Sequence, residues 1–384
     1  MATGLPGSHG PRGPALFEGD DRQYSPTRLD GWLQEVNGPD RQQPEHHTRA
    51  QLARMSPGPL MVHNDRREVW HANLGPIDTP QLLALHEDLA EIVESNRQDG
   101  DKTKPAALVD AYPGLGKSTA VRAHGRDLFR KEVTLRGETA PGGDRRVPVI
   151  YIALTGNTQI LGLNAAICRF YGLPTSGNAD TLAERAVDAV LSMKTIAIII
   201  DDVHFLAGSH TNQTRMANQL KYLANVFPVT LIYVGVGVQK RGLLREGFTA
   251  EQALLAQFGR RTTPLTLPPF QVEDESGRRQ WRTLLKTIEK KLVLADTYPG
   301  MLADDLSDYL YARSTGHFAS LMALINRGCL RAVRTGHERL DRELMDRVKN
   351  DAAAEEARRE LTAEIEAGLL TTRPGLSVKR RRLA

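Results

Sequence analysis

Five short apolar segments recur along the middle of the chain, separated by longer amphipathic stretches. They are Ala107–Ala111, Val147–Leu154, Ile196–Ile200, Val229–Val236 and Thr262–Leu267. One intervening helix is predicted over Ser118–Arg130, and a later one begins at an Asp180 cap and carries Leu182, Val187, Val190 and Leu191. Near-continuous apolar strands between amphipathic helices are typical of a parallel sheet covered on both faces. The pattern therefore predicts an α/β fold with a parallel five-stranded sheet.

The two ends of the chain follow other patterns. Gly and Pro make up half of the first fourteen residues, which predicts a mostly disordered arm with one short helix near Leu29–Val36. After Pro268 the apolar spacing is helical only, with one stripe at Trp281, Leu284, Leu285, Ile288 and Leu292 and another at Leu321, Leu324 and Ile325. The predicted units are the arm (1–60), the α/β core (61–270), a small α-helical lid (271–350), and a charged helix with a basic tail (351–384).

Composition limits the range of functions. The net charge is +4, but the five basic residues after Gly368 account for more than all of it, so the rest of the chain sums to −1. Aromatic residues are only 5%, which does not favour a base-stacking platform for single strands. Neither a secretory signal nor a membrane span is evident, and Cys168 and Cys329 lack metal-ligand spacing. We therefore expect a cytoplasmic protein.

A glycine-rich turn follows the first predicted strand, in the sequence AYPGLGKST from Ala111 to Thr119. It matches the P-loop pattern at Gly116, Lys117 and Ser118, although Ala111 replaces the first glycine. Backbone N–H groups of such a turn bind phosphate oxygens, the lysine contacts the β- and γ-phosphates, and the hydroxyl ligates magnesium. A chance glycine-rich turn is the alternative, but the strand–turn–helix context favours ATP. The predicted nucleotide-binding residues are Tyr112, Pro113, Gly114, Leu115, Gly116, Lys117, Ser118 and Thr119.

Two acids end the third apolar segment, in the sequence AIIIDD. An acid at the end of a buried strand needs a compensating partner, and a magnesium ion beside ATP explains Asp201. Asp202 then stands where a water-activating carboxylate is needed. Ser118 and Asp201 are thus the predicted magnesium ligands, and Asp202 the catalytic base of an ATPase. A strand lies between the two motifs in the chain, which predicts the additional-strand (ASCE) class of P-loop NTPase.

Arg260 and Arg261 precede the fifth strand. We consider them as arginine fingers that act on the γ-phosphate of a neighbouring subunit, and a solvated basic pair is an equally open alternative. His204, directly after the acid pair, is more typical of a structural hydrogen-bond partner. The tail residues Lys379–Arg382 are expected to attract DNA without reading its sequence.

The order of these parts resembles the AAA+ ATPases of bacterial transposons, the TniB, TnsC and MuB kind, over roughly 62–335. The resemblance rests on WHANLGPIDTPQL, the P-loop, DDVHFLAGSHTNQTRMANQLKYLANVF, VTLIYVGVG and LLAQFGRRTTPLTLPPF. It implies an AAA+ core with a helical lid, and ATP-driven self-association on double-stranded DNA that recruits or activates a transposase. That family usually has Asp-Glu where this chain has Asp201-Asp202, which predicts slow hydrolysis. At His317, Phe318 and Ala319 the lid lacks the nucleotide-sensing arginine common in AAA+ proteins.

Three alternatives remain open from the sequence. A STAND-type signalling NTPase often has the Asp-Asp pair, but no C-terminal repeat array is visible. A replication or helicase-loader ATPase shares the same core and also meets DNA. A nucleotide-gated scaffold that binds ATP and scarcely hydrolyses it is consistent with Asp202.

Overall fold

The structure is a computed structural model that describes residues 24–97, 104–156, 158–206, 213–238 and 259–376. Its central sheet contains β1 (Ala106–Asp110), β2 (Val149–Ala153), β3 (Ala197–Asp201), β4 (Thr230–Gly235) and β5 (Thr262–Thr266). Each strand lies within two residues of its predicted bounds. The apolar runs specify them because four of the five strands have at least their first four residues buried on both faces. The predicted tail at Lys379–Arg382 lies outside the described residues.

The strands are ordered β2-β3-β4-β1-β5, and every neighbouring pair is parallel. Strand β4 therefore lies between β1, which leads into the glycine-rich turn, and β3, which ends in the acids. This confirms that an additional strand lies between the two motif strands, but it is β4 and not β2, the strand that separates the motifs in the chain. Because all five strands are parallel, the carboxyl ends of β1 and β3 meet at the same edge of the sheet.

Helices cover the sheet. They are α4 (Pro80–Ser95), α5 (Lys117–Arg136), α6 (Ile160–Phe170), α7 (Ala179–Ser192) and α8 (Gln213–Val226). Helix α5 extends six residues beyond its predicted end, to Gly137, whose φ of 80° stops it. The predicted Asp180 cap of α7 is wrong: Asn178 caps that helix by accepting a hydrogen bond from the Thr181 amide, and Asp180 lies in the first turn.

In the N-terminal arm, the short helix predicted near Leu29–Val36 is confirmed as α1 (Leu29–Asn37). The expectation of disorder is wrong for the rest of residues 24–60, which contain α2 (Arg49–Arg54) and the start of α3 (Pro57–Ala72). Trp32 of α1 is fully buried against the sheet side of the molecule, and Arg49 of α2 donates to Asp296 and to the carbonyls of Gly336 and His337. Low local hydrophobicity predicted disorder, whereas distant partners order the chain here.

The C-terminal part is helical, as predicted. It comprises α9 (Glu275–Glu289), a π-helical turn (Met301–Asp305), α10 (Ser307–Ser314), α11 (Phe318–Thr335), α12 (Arg342–Asp346) and α13 (Ala352–Glu366). Both predicted apolar stripes are buried in a second core cluster. Helix α3 packs on this cluster through Trp70, and its buried Arg67 makes a two-point ion pair with Glu338 at 2.7 and 3.0 Å. Helix α13 is held to α10 through Arg313, which pairs with Glu355.

Both cysteines are buried, as expected for small apolar residues. Burial raises the pKa of the Cys329 thiol, which is therefore neutral. Among the described residues no three or more His, Cys, Asp or Glu side chains are grouped to hold a metal. None of the helices in the described ranges is long and apolar enough to span a membrane.

Gly316 joins the lid to the segment that follows β5. Its φ is +71°, its carbonyl accepts from the Phe270 amide at 2.9 Å, and an added Cβ would lie 2.1 Å from the Phe270 carbonyl oxygen. We expect Gly316→Ala to lower the free energy of unfolding by about 3 kcal/mol or more, because it combines backbone strain with a backbone clash. Urea unfolding measures this loss.

The matched control is Gly336→Ala. Gly336 has a similar φ of +66°, but nothing lies within 4 Å of the added Cβ. Its cost is limited to the left-handed backbone, roughly 1–2 kcal/mol. Equal losses for the two variants would show that the contact with Phe270 does not constrain Gly316.

Candidate active site

The glycine-rich turn has the backbone of a phosphate cradle. Gly114 and Gly116 have φ values of 79° and 82°, which L side chains rarely adopt. Gly116 is the N-cap of α5 and has no side chain to cap it, so the amides of the first turn of α5 face the turn. The backbone of Ala111, by contrast, does not have a positive φ. The missing first glycine of the motif is therefore compatible with this turn.

The other predicted residues of the turn have different surroundings. Tyr112 is about half exposed, and Pro113 and Gly114 are exposed as well. Leu115 is buried and anchors the turn in the core, and Lys117 and Ser118 are partly buried at the start of α5. Thr119 lines a cavity described below.

Asp201 ends β3 and is almost completely buried. Its Oδ2 accepts a hydrogen bond from the Tyr151 hydroxyl at 2.7 Å, and its Oδ1 accepts one from the Asp202 amide at 2.8 Å. Both oxygens are therefore fixed in position, and each retains a second lone pair. A carboxylate and the Ser118 hydroxyl are hard oxygen donors, and Mg²⁺ completes its shell with waters and phosphate oxygens. These residues fit the predicted ion.

Asp202 has a left-handed backbone, with φ of 58°. Asp and Asn tolerate this conformation better than other residues, because their short polar side chains bond locally. A glutamate at this position would meet more strain. The backbone at this position therefore favours the aspartate that the chain has.

Charged residues of both motifs surround the Asp202 carboxyl. Burial raises the pKa of its carboxyl, the neighbouring Asp201 raises it further, and His204 and Lys117 oppose this shift. The His204 ring nitrogen lies 3.9 Å from the Asp202 carboxylate, in a 3₁₀ turn after β3. The charge of Lys117, at the start of α5, thus acts on the Asp202 carboxylate, directly after β3. A base with a raised pKa is suited to accept a proton near neutral pH.

A cavity of about 400 Å³ lies beside the glycine-rich turn, between the core and the lid. Its lining is mostly apolar and includes Ile77 before α4, Thr119 of α5, and Phe318, Met322 and Asn326 of α11. A concave apolar site with few polar groups suits a flat nucleobase. Of these residues the sequence predicted only Thr119, since the others come from segments that only the tertiary structure brings to the turn.

The lid contacts the turn directly. The amide of Ala319 donates to the Gly114 carbonyl at 2.9 Å, and the Phe318 ring lies 3.7 Å from a Cβ built on Gly116. Arg313, the lid arginine nearest in sequence, is buried and donates to the carbonyls of Met345 and Val348. It is therefore a structural residue. Backbone and apolar contacts link the lid to the turn.

Arg260 and Arg261 lie at the opposite edge of the sheet. The Arg261 carbonyl accepts from the Ala106 amide at the start of β1, whereas the turn follows the end of that strand. Five residues of strand separate the two edges by about 16 Å. Both arginines are exposed. Within one subunit they are not part of the site, and a role as fingers requires a neighbouring subunit.

Comparison with known proteins agrees with this architecture. A family model described as an AAA domain matches residues 99–243. Aeropyrum pernix ORC2, solved as ADPNP–ADP complexes, is 17% identical, with a TM-score of 0.55 over 74% of this chain and 72% of that chain. Aeropyrum pernix ORC1 in complex with DNA is 18% identical, with a TM-score of 0.52 over 77% and 69%.

Pyrobaculum aerophilum Cdc6p is 14% identical, with a TM-score of 0.50 over 81% of this chain and 86% of that chain. No curated protein has significant sequence similarity to this one. At such low identities the similarity shows the fold alone. The chain has the AAA+ P-loop NTPase fold, with the site at the carboxyl edge of its sheet.

Proposed function

We propose that this protein is an ATP-dependent switch that binds Mg–ATP between the turn and the lid and hydrolyses it slowly. The observation that carries this proposal is that the glycine-rich turn after β1 and the acids after β3 lie at the same edge of the sheet, with the lid in contact with that turn. A phosphate cradle, a magnesium acid and a water-activating carboxylate are the parts that phosphoryl transfer to water needs.

Each residue has a distinct task in this proposal. The amides that follow Gly114 bind phosphate oxygens, and Lys117 balances the charge of the β- and γ-phosphates. Ser118 and Asp201 hold magnesium, which neutralises phosphate charge when it is bound. Asp202 orients a water molecule and accepts its proton. Its short side chain reaches less far than a glutamate, which accounts for the slow turnover that we expect.

The lid would respond to the state of the bound nucleotide. The Ala319 amide and the Phe318 ring contact the same turn that would bind the phosphates. A change in the phosphates therefore changes what the first turn of α11 packs against. A titration with a fluorescent ATP analogue, with and without magnesium, tests the nucleotide site. Absence of binding under both conditions would contradict the proposal.

On the resemblance to transposon-encoded AAA+ ATPases, we infer that the switch assembles on double-stranded DNA and recruits or activates a transposase. A replication-loader role is the second candidate, favoured by the fold shared with ORC and Cdc6 proteins. An ATP-gated scaffold with little hydrolysis is the limiting case of either role. A transposase encoded beside this protein would support the first candidate.

ATP is expected to promote self-association on duplex DNA, with Arg260 or Arg261 acting across the subunit boundary. Sedimentation with DNA and ATP, ADP or no nucleotide should show large assemblies only with ATP. Arg260→Ala and Arg261→Ala, tested singly, should retain ATP binding, and the one that removes the finger should lower hydrolysis by roughly 10³-fold.

Arg347→Ala is the control, since this arginine is also exposed but pairs with Glu343 in the lid. It should leave assembly and hydrolysis unchanged. Wild-type protein that stays monomeric under all three nucleotide conditions would contradict the assembly proposal.

A further inference from the structure

Tyr151 of β2 makes a contact that the ATPase roles above leave unassigned. It is buried in the sheet, two residues before the end of its strand, and its hydroxyl donates to Asp201 Oδ2 at 2.7 Å. Asp201 is the predicted magnesium ligand. The phenol therefore occupies one lone pair of Oδ2 and leaves the remaining lone pairs of the carboxylate for other partners.

The phenol acts as the hydrogen-bond donor in this contact. An ionised carboxylate oxygen can only accept, so the 2.7 Å contact is made by the Tyr151 O–H. A neutral donor at this position fixes the orientation of the carboxylate without neutralising its charge.

Helix α1 of the N-terminal arm holds Tyr151 in place. The Trp32 ring stacks on the Tyr151 ring, with 6.2 Å between centroids and 14° between planes. On another side, the Arg122 guanidinium lies 5.7 Å from the centre of the Tyr151 ring. Arg122 is fixed in turn by an ion pair with Glu35 of α1 at 2.5 Å.

The same helix also packs against α5, one turn after the second predicted magnesium ligand, Ser118. Arg122 and Ser118 are four residues apart on α5 and so share a helix face. Gly125 of α5 lies between the sheet and α1, since a Cβ there would lie 2.6 Å from the Ile199 side chain and 3.4 Å from the Trp32 ring. Helix α1 therefore packs against Tyr151 and against α5, the helix that begins beside Ser118.

We propose that Tyr151 is a positioning residue for the magnesium acid Asp201, and that α1 holds Tyr151 in its donating position. The proposal rests on the nucleotide site inferred above and adds a role for the N-terminal arm. Partners that orient a metal ligand typically change metal affinity by about 10- to 100-fold when they are removed. Any molecule that displaced α1 would then remove the Trp32 contact with Tyr151 and lower the affinity for magnesium.

Tyr151→Phe is the direct test, because it keeps the ring that stacks on Trp32 and removes only the hydroxyl. Binding of a fluorescent ATP analogue is measured while MgCl₂ is varied, and again in EDTA. We expect the magnesium concentration at half-maximal enhancement of binding to rise roughly tenfold, with binding in EDTA unchanged.

Tyr171→Phe is the matched control. Tyr171 is equally buried, and its hydroxyl bonds to the Thr195 hydroxyl at 2.6 Å, away from the acids. Both variants lose one buried hydrogen bond, so thermal unfolding should be lowered in both, while only Tyr151→Phe should shift the magnesium dependence. Equal magnesium curves for Tyr151→Phe and wild type would overturn the proposal.

Glu35→Gln tests the contribution of α1. It weakens the ion pair with Arg122 without altering the core, and we expect a smaller shift of the magnesium curve in the same direction. An unchanged curve would overturn the part assigned to α1. If wild type binds no nucleotide at all, the proposed function fails. If wild type binds and Tyr151→Phe behaves like it, only this inference fails.

Discussion

Lys117→Ala is expected to weaken ATP binding by at least a hundredfold while leaving the fold intact. The lost contacts are charge-assisted hydrogen bonds to phosphate, and their removal costs about 3 kcal/mol. Lys117 lies at the first position of α5 and is only partly buried, so alanine leaves no core cavity. A binding titration together with circular dichroism measures both parts of the prediction.

The control is Lys131→Ala on the same helix. Lys131 is half exposed and pairs with Glu94, far along α5 from the turn. It removes the same charge from the same helix and should not affect nucleotide affinity. Wild-type affinity in Lys117→Ala would show that the turn is not the phosphate site.

Asp202→Asn is expected to retain ATP binding and to lower hydrolysis by roughly 10²- to 10⁴-fold. Asparagine has nearly the same shape and tolerates the left-handed backbone at this position, but it cannot accept a proton from water. Single-turnover hydrolysis and equilibrium binding separate the two effects. Normal hydrolysis by this variant would place the base elsewhere.

The same substitution has a predicted effect on stability. The pKa of the Asp202 carboxyl is raised, so its ionisation opposes folding at neutral pH. Asparagine removes that cost, and the variant should unfold at a temperature equal to or above that of wild type. The difference should disappear as the pH falls through the ordinary carboxyl range, where Asp202 is protonated in both the folded and unfolded states. A variant that is less stable at neutral pH would contradict this view of the site.

The N-terminal arm contacts both packed units. Helix α1 contacts the sheet through Trp32, and α2 contacts the helical region through Arg49. The arm therefore spans the two units between which a nucleotide would lie. The contacts of α1 with Tyr151 and Arg122 give the arm a means of affecting the proposed magnesium site.

The sequence by itself determined the strands, the glycine-rich turn, the acid pair and the apolar stripes of the lid. Each of these depends on local periodicity or on a short motif whose chemistry needs particular residue types. The runs before Asp110 and Asp201 had to be buried strands, because they are too apolar for the surface and too short for membranes. Lys117 and Asp202 were placed at one edge because parallel strands end together.

Only the tertiary structure decided the rest, since it depends on partners far apart in the chain. Tyr151 and Asp201 are fifty positions apart, and Arg67 and Glu338 are 271 apart. Neither pair leaves a local pattern in the sequence. The arm has low hydrophobicity of its own, so its order comes from burial of Trp32 and from distant carbonyls that accept from Arg49. The left-handed backbone of Asp202, whose amide donates to the Asp201 carboxylate, likewise appears only in the structure.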